Sequence, residues 1–137
     1  MSTSLQELGQ SVKRLQNRHH HTLNAALQEL GVSLVQWDAL RHLDQNPDAS
    51  LHDLAQLTFQ TDQAFGTLAK RMTDRGLIER APGPGRAVRH RLTEHGRAVR
   101  VAGSAIAERV LADSFAPLTD PERDVLAALL RRLLDRA

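Results

Sequence analysis

Three observations predict a mainly α-helical chain with one small β-wing. Helix-start signals recur along the 137 residues, the apolar positions between them fall at spacings of three and four, and a single Pro/Gly-rich stretch breaks that rhythm. At each start signal a hydroxyl residue precedes Glu, Gln or Asp by three positions: Ser4/Glu7, Ser33/Gln36, Ser50/Asp53 and Thr119/Glu122. In such a capping box the hydroxyl accepts from an orphan backbone N–H and the later side chain reaches back to the cap.

The first helix is expected over 5–30, with Leu5, Leu8, Val12, Leu15, Leu23, Ala26 and Leu30 as its stripe and Gly31 closing it. The second, over 34–45, turns Trp37, Leu40 and Leu43 inward and stops at Asn46-Pro47. A short third helix over 51–57 and a turn over 58–61 lead into a fourth over 62–75, which buries Phe65, Leu68, Ala69 and Met72 and ends at Gly76. The period then changes. Residues 77–81 and 86–92 flank Pro82-Gly83-Pro84-Gly85, which reads as a β-hairpin with a non-helical tip. Thr93 caps a helix over 94–112 with a Val99, Ala102, Ile106, Val110 seam, and a last helix over 120–136 buries Val125, Leu126, Leu129, Leu130, Leu133 and Leu134. Short helix, turn, helix and hairpin in that order make a winged helix-turn-helix core over about 33–93. The helices over about 4–30 and 94–136 carry more apolar stripe than such a core covers. A second copy of the chain is the expected partner for them.

Composition excludes several classes of chemistry. With no cysteine there is no disulfide framework and no thiol nucleophile. The apolar runs are far shorter than the roughly 18–20 residues of a membrane span. The first residues do not follow the pattern of a signal peptide, so a cytoplasmic protein without a membrane partner is expected. No Gly-rich phosphate loop, nucleophile elbow or HExxH occurs, so neither an enzyme nor a cofactor is expected. The net charge is only +2, yet Lys70 to Arg100 holds nine basic residues against three acidic ones. A basic zone over the fourth helix and hairpin fits a polyanion.

Setting Phe65, Leu68 and Met72 inward leaves Gln63, Gly66, Thr67, Lys70 and Asp74 outward at about 100° per residue. Gln pairs bidentately with adenine, Thr offers a hydroxyl or a methyl, and Gly66 lets the helix backbone come close. Lys70, Arg71 and Thr61 suit phosphates. In the wing, Arg86 ends a stiff small-residue finger that fits a narrow minor groove, and Arg89 and Arg91 share a strand face expected near phosphates. An architectural DNA binder, an effector-independent one or a winged-helix protein-interaction module are the alternatives.

With RMTDRGLIER before the wing and RAVRHRLTEHG after it, the chain resembles the MarR family of dimeric transcription regulators over essentially its whole length. GLIER and LTEHG, about twelve residues apart across the Gly/Pro tip, carry the resemblance. It implies a single MarR-like domain over 1–137, a homodimer built from the first and last helices, and a pseudo-palindromic double-stranded operator. It also implies a repressor that a small, often phenolic or aromatic, molecule releases. One departure stands out: where the family commonly has Asp two residues before the wing arginine, this chain has Pro84.

His19-His20-His21 invites a metal reading, but consecutive helical residues diverge by about 100° and do not close on one ion. No metal is expected. His19 falls within the apolar stripe of the first helix and has two readings: a satisfied core histidine at the dimer interface, or, with Arg18 and Trp37, a site for an anionic aromatic effector. Trp37 likewise reads either as plain core or as part of that site.

Overall fold

The structure is a computed structural model that describes residues 2–83, 85 and 88–135. Helices α1 (Leu5–Leu27, continued by one 3₁₀ turn, Gln28–Leu30), α2 (Leu34–Gln45), α3 (Leu51–Leu57) and α4 (Asp62–Asp74) come first. Strands β1 (Ile78–Pro82) and β2 (Val88–Leu92) follow, then α5 (Glu94–Phe115) and α6 (Asp120–Leu134). Three of the four capping boxes form with both bonds, at Ser33/Gln36, Ser50/Asp53 and Thr119/Glu122. At Ser4 only the hydroxyl half is made, to the Glu7 N–H at 3.3 Å. Glu7 is exposed, and its carboxylate has water as a competing partner.

The core gathers Leu27, Leu40, Leu54, Phe65, Met72 and Leu77, none more than 2% exposed. Gly31 and Gly76 take φ of 73° and 72°, the left-handed geometry that lets α1 and α4 end where the sequence predicts. Strands β1 and β2 pair antiparallel, Ile78 opposite Leu92 and Glu79 opposite Arg91. One joint ties hairpin to helix. The Thr93 hydroxyl donates to the Gly76 carbonyl, the Thr93 N–H donates to the Leu77 carbonyl at 3.1 Å, and the Gly96 N–H donates to the Thr93 hydroxyl at 3.0 Å. A Cβ on Gly96 would lie 1.9 Å from the Leu77 carbonyl oxygen, so only glycine allows α5 to start there. The GLIER and LTEHG segments are the two sides of this joint.

A second close approach joins α2 to α5. A Cβ on Gly103 would lie 2.3 Å from the Trp37 indole, whose Nε1 donates to the Arg100 carbonyl at 3.1 Å.

The expected burial of the last helix does not occur within one chain. No residue of α6 is buried, and Val125, Leu129, Leu130, Leu133 and Leu134 are all exposed. Leu5, Leu8, Val12 and Leu15 on the first half of α1 are exposed as well. The residue pattern is amphipathic, but none of the described residues folds over these faces. Among the described residues, no helix is long and apolar enough to cross a membrane.

Candidate nucleic-acid interface and adjoining cavity

The helix α4 turns Phe65, Ala69 and Met72 into the core, with Leu68 half-buried behind them. Gln63, Thr67, Lys70 and Arg71 are exposed, and a Cβ on Gly66 would meet nothing within 4 Å. The outward face expected from the sequence is therefore present, with an open notch at Gly66. The Thr67 hydroxyl donates to the Gln63 carbonyl at 3.1 Å, so toward a base it acts as an acceptor. Thr61 caps the helix, accepting from the Ala64 N–H at 3.1 Å. Beside it the exposed Asp62 carboxylate lies 2.8 Å from His52 Nδ1, which links the starts of α3 and α4. Lys70 reaches only a loose, exposed contact with Asp74 at 3.8 Å, of little energetic weight.

The wing arginines differ among themselves. Arg86 lies outside the described residues. Arg91 is exposed and bonded to Glu79, its direct cross-strand partner, at 2.9 Å. Arg89 is half-buried and leans on its own strand, donating to the Val88 carbonyl at 3.3 Å, while its Nε has no partner among the described residues. Arg89 also lies near Asp53. That carboxyl is held below its ordinary range first by the Ser50 backbone N–H, then by the Ser50 hydroxyl, with Arg89 adding least. Two other cations of the basic zone are structural. Arg75 donates to the Gly31 carbonyl at 2.6 Å and to Gln36 Oε1 at 3.2 Å, and Arg100 Nε sits 3.1 Å from Asp44 Oδ2, off the line of a hydrogen bond.

A cavity of about 660 Å³ lies between α1, α2, α5 and the α3–α4 turn. Trp37 is buried with the core and also lines the cavity, but Arg18 and His19 do not line it. The Arg18 side chain is exposed. His19 Nε2 meets Ser114 Oγ at 2.6 Å and stands edge-on to Phe115 at 5.3 Å, a satisfied histidine within the chain. The next residue, His20, lines the cavity instead, with Gln16 and Leu23. Those three fall at positions i, i+4 and i+7, on the line that continues to the wholly buried Leu27. That spacing was visible in the sequence. Arg41, which sequence reasoning missed, lines the cavity with its guanidinium 5.6 Å over the Trp37 ring and bonded to Asp38 Oδ1 at 2.7 Å. Phe59 stands at the rim, 97% exposed, with a left-handed φ of 58°. For a non-glycine residue that geometry costs about 1–3 kcal/mol.

Fold and surface together define a winged helix-turn-helix protein with a cavity against its helical body. A model of the MarR family matches residues 30–87. The HTH-type transcriptional repressor Rv2887 of Mycobacterium tuberculosis (strain ATCC 25618 / H37Rv) is 32% identical over 113 residues, 81% of either chain. This chain belongs to the MarR family. Among solved structures, that of the M. tuberculosis MarR family protein Rv2887 in complex with salicylic acid is similar, with a TM-score of 0.78 at 29% identity over 96% of this chain and 97% of that one. The same protein in complex with DNA gives 0.79 at 28% identity, over 96% and 98%.

Proposed function

We propose that this protein is a homodimeric transcriptional repressor in the cytoplasm, which binds a pseudo-palindromic operator and is released by a small molecule held in the cavity. The observation that carries the reading is the exposed face of α4. Two neutral hydrogen-bonding side chains, Gln63 and Thr67, flank an open notch at Gly66, with Lys70 and Arg71 alongside for phosphates. Arg91 and the half-buried Arg89 belong to the wing that flanks the site, and Arg86 is assigned to the wing tip. The relatives support it too: one is named a transcriptional repressor, and its structures hold DNA in one case and salicylic acid in another. The open faces of α1 and α6 are assigned to the dimer interface, which sets two α4 helices about 34 Å apart, one turn of DNA. The cavity touches both α1 and the α3–α4 turn, so an occupant bears on the helices that would set this spacing.

Selection of bound fragments from random duplex DNA tests the reading. The expected product is a two-fold symmetric site preferred over random DNA by about 10³ or more at physiological salt. Gln63→Ala and Thr67→Ala should flatten base preference at their positions more than they lower non-specific affinity. Arg86→Ala should cost about 1–3 kcal/mol of operator binding. Salt-dependent binding without any preferred site would leave an architectural DNA binder in its place.

A further inference from the structure

We infer that the cavity beside Trp37 takes a lipophilic aromatic cation, with Glu108 as its counter-ion and Phe59 closing over it. This rests on the ligand-responsive reading above and specifies the ligand's charge. The charged and titratable side chains lining the cavity are His20, Asp38, Arg41 and Glu108. Arg41 and Asp38 cancel: both Nε and Nη2 of Arg41 donate to Asp38 Oδ1, at 3.3 and 2.7 Å. The other Asp38 oxygen lies 3.5 Å from His42 Nε2. Glu108 makes no ion pair among the described residues, so it is the carboxylate of the lining that has no cationic partner. An aromatic acid would meet an Arg41 already bonded to Asp38, and would lie among the carboxylates of Asp38 and Glu108.

The rest of the wall selects against a small hydrated ion. Leu23, Leu34, Val35 and Leu111 are apolar. A diffuse organic cation loses little hydration on entering such a wall and gains from aromatic faces. The face of Trp37 already carries the Arg41 guanidinium. Phe59 has no aromatic or cationic partner among the described residues, and is almost wholly in water. A ligand that covered Phe59 would bury that apolar surface. Because Phe59 belongs to the α3–α4 turn, the same contact bears on the seating of α4.

Trp37 is the only tryptophan of the chain, so its fluorescence reports on the cavity directly. The test titrates the full-length protein at fixed ionic strength with benzyltriethylammonium, salicylate and benzyl alcohol, and measures release of a selected operator in parallel. The ammonium should bind about tenfold or more tighter than either comparator. Glu108→Gln, at an exposed position, should lower ammonium affinity about tenfold and leave salicylate unchanged or tighter. Phe59→Ala should weaken the ammonium without lowering the melting temperature. Tighter binding of salicylate, or an ammonium preference that survives Glu108→Gln, overturns the inference. If salicylate both binds tighter and releases DNA, the ligand-responsive reading stands and the cation falls. If no probe binds, both fall. If the ammonium binds as expected without releasing DNA, the charge assignment stands and the release reading fails.

Discussion

The winged core and the two ends of the chain use the same local grammar with opposite results. In the core each stripe finds a partner within the chain: Leu27 and Leu40 are 0% exposed and Phe65 2%. At the ends, α6 begins with a complete capping box, yet Leu133 is 65% exposed and Leu134 80%. Leu5, near the capped start of α1, is 83% exposed. An amphipathic pattern says that a face is to be covered, but not by what. Cover inside the chain comes from joints such as Thr93–Gly76 and Gly96–Leu77, whereas the bond α6 makes back to α5, Arg123 Nε to the Phe115 carbonyl at 3.2 Å, lies at its start and leaves its later turns open.

Substitutions separate the two regions through concentration dependence. Leu40→Ala, deep in the core, should cost about 2–5 kcal/mol by urea unfolding. That loss should be equally large at every protein concentration. Leu130→Asp with Leu133→Asp should instead leave helicity intact and convert a dimer into a monomer by sedimentation. Operator affinity should then fall about a hundredfold, because the second half-site is no longer bound as part of one molecule. A variant that stays dimeric would place the interface elsewhere. A large loss of monomer stability would mean that α6 packs on its own chain after all.

The same division explains what the sequence revealed. The bounds of α2 and α3, the turn before α4 and the left-handed glycines depend on neighbours in sequence, and they were legible. The cavity depends on how α1 rotates against α2 and α5, and a rotation of one residue moved the cavity histidine from His19 to His20. The stripe drawn through Leu5, Leu8, Val12, Leu15, Leu23, Ala26 and Leu30 ran from a face left open onto the face that meets the core, and missed Leu27. The basic zone was also overcounted as a DNA-facing surface. Charge is visible in a sequence, but its commitments are not: Arg75 holds the Gly31 carbonyl and Arg100 sits against Asp44.

Those commitments give a smaller, sharper prediction. Arg91 is exposed and its partner Glu79 lies on the same exposed edge of the wing. Arg91→Ala should lower operator affinity by under about 1 kcal/mol and reduce the salt slope of binding by about one, uniformly across sequences. Arg75→Ala should instead lower the melting temperature and leave the salt slope unchanged. If the two exchange behaviours, the assignment of structural and DNA-facing arginines is reversed.

The smallest expected effect concerns His90, the one polar residue of the described chain whose side chain is buried with the core. Burial pushes its pKa below the ordinary value near 6.5, and Arg80, its cross-strand partner, adds to the shift. Above pH 6.5 the imidazole is neutral in folded and unfolded chains alike and contributes no pH dependence. As pH falls through 6.5 the unfolded chain takes up a proton that the folded wing resists. Stability is therefore lost downward from that point until the lowered folded value is passed. The melting temperature should drop between pH 7 and pH 5.5, and His90→Asn should drop less over the same interval. The other six histidines are common to both proteins, so the difference in slope belongs to His90. Parallel slopes would show that the wing accommodates a charged imidazole opposite Arg80, and that burial in this part of the core is looser than in the Leu40 and Phe65 region.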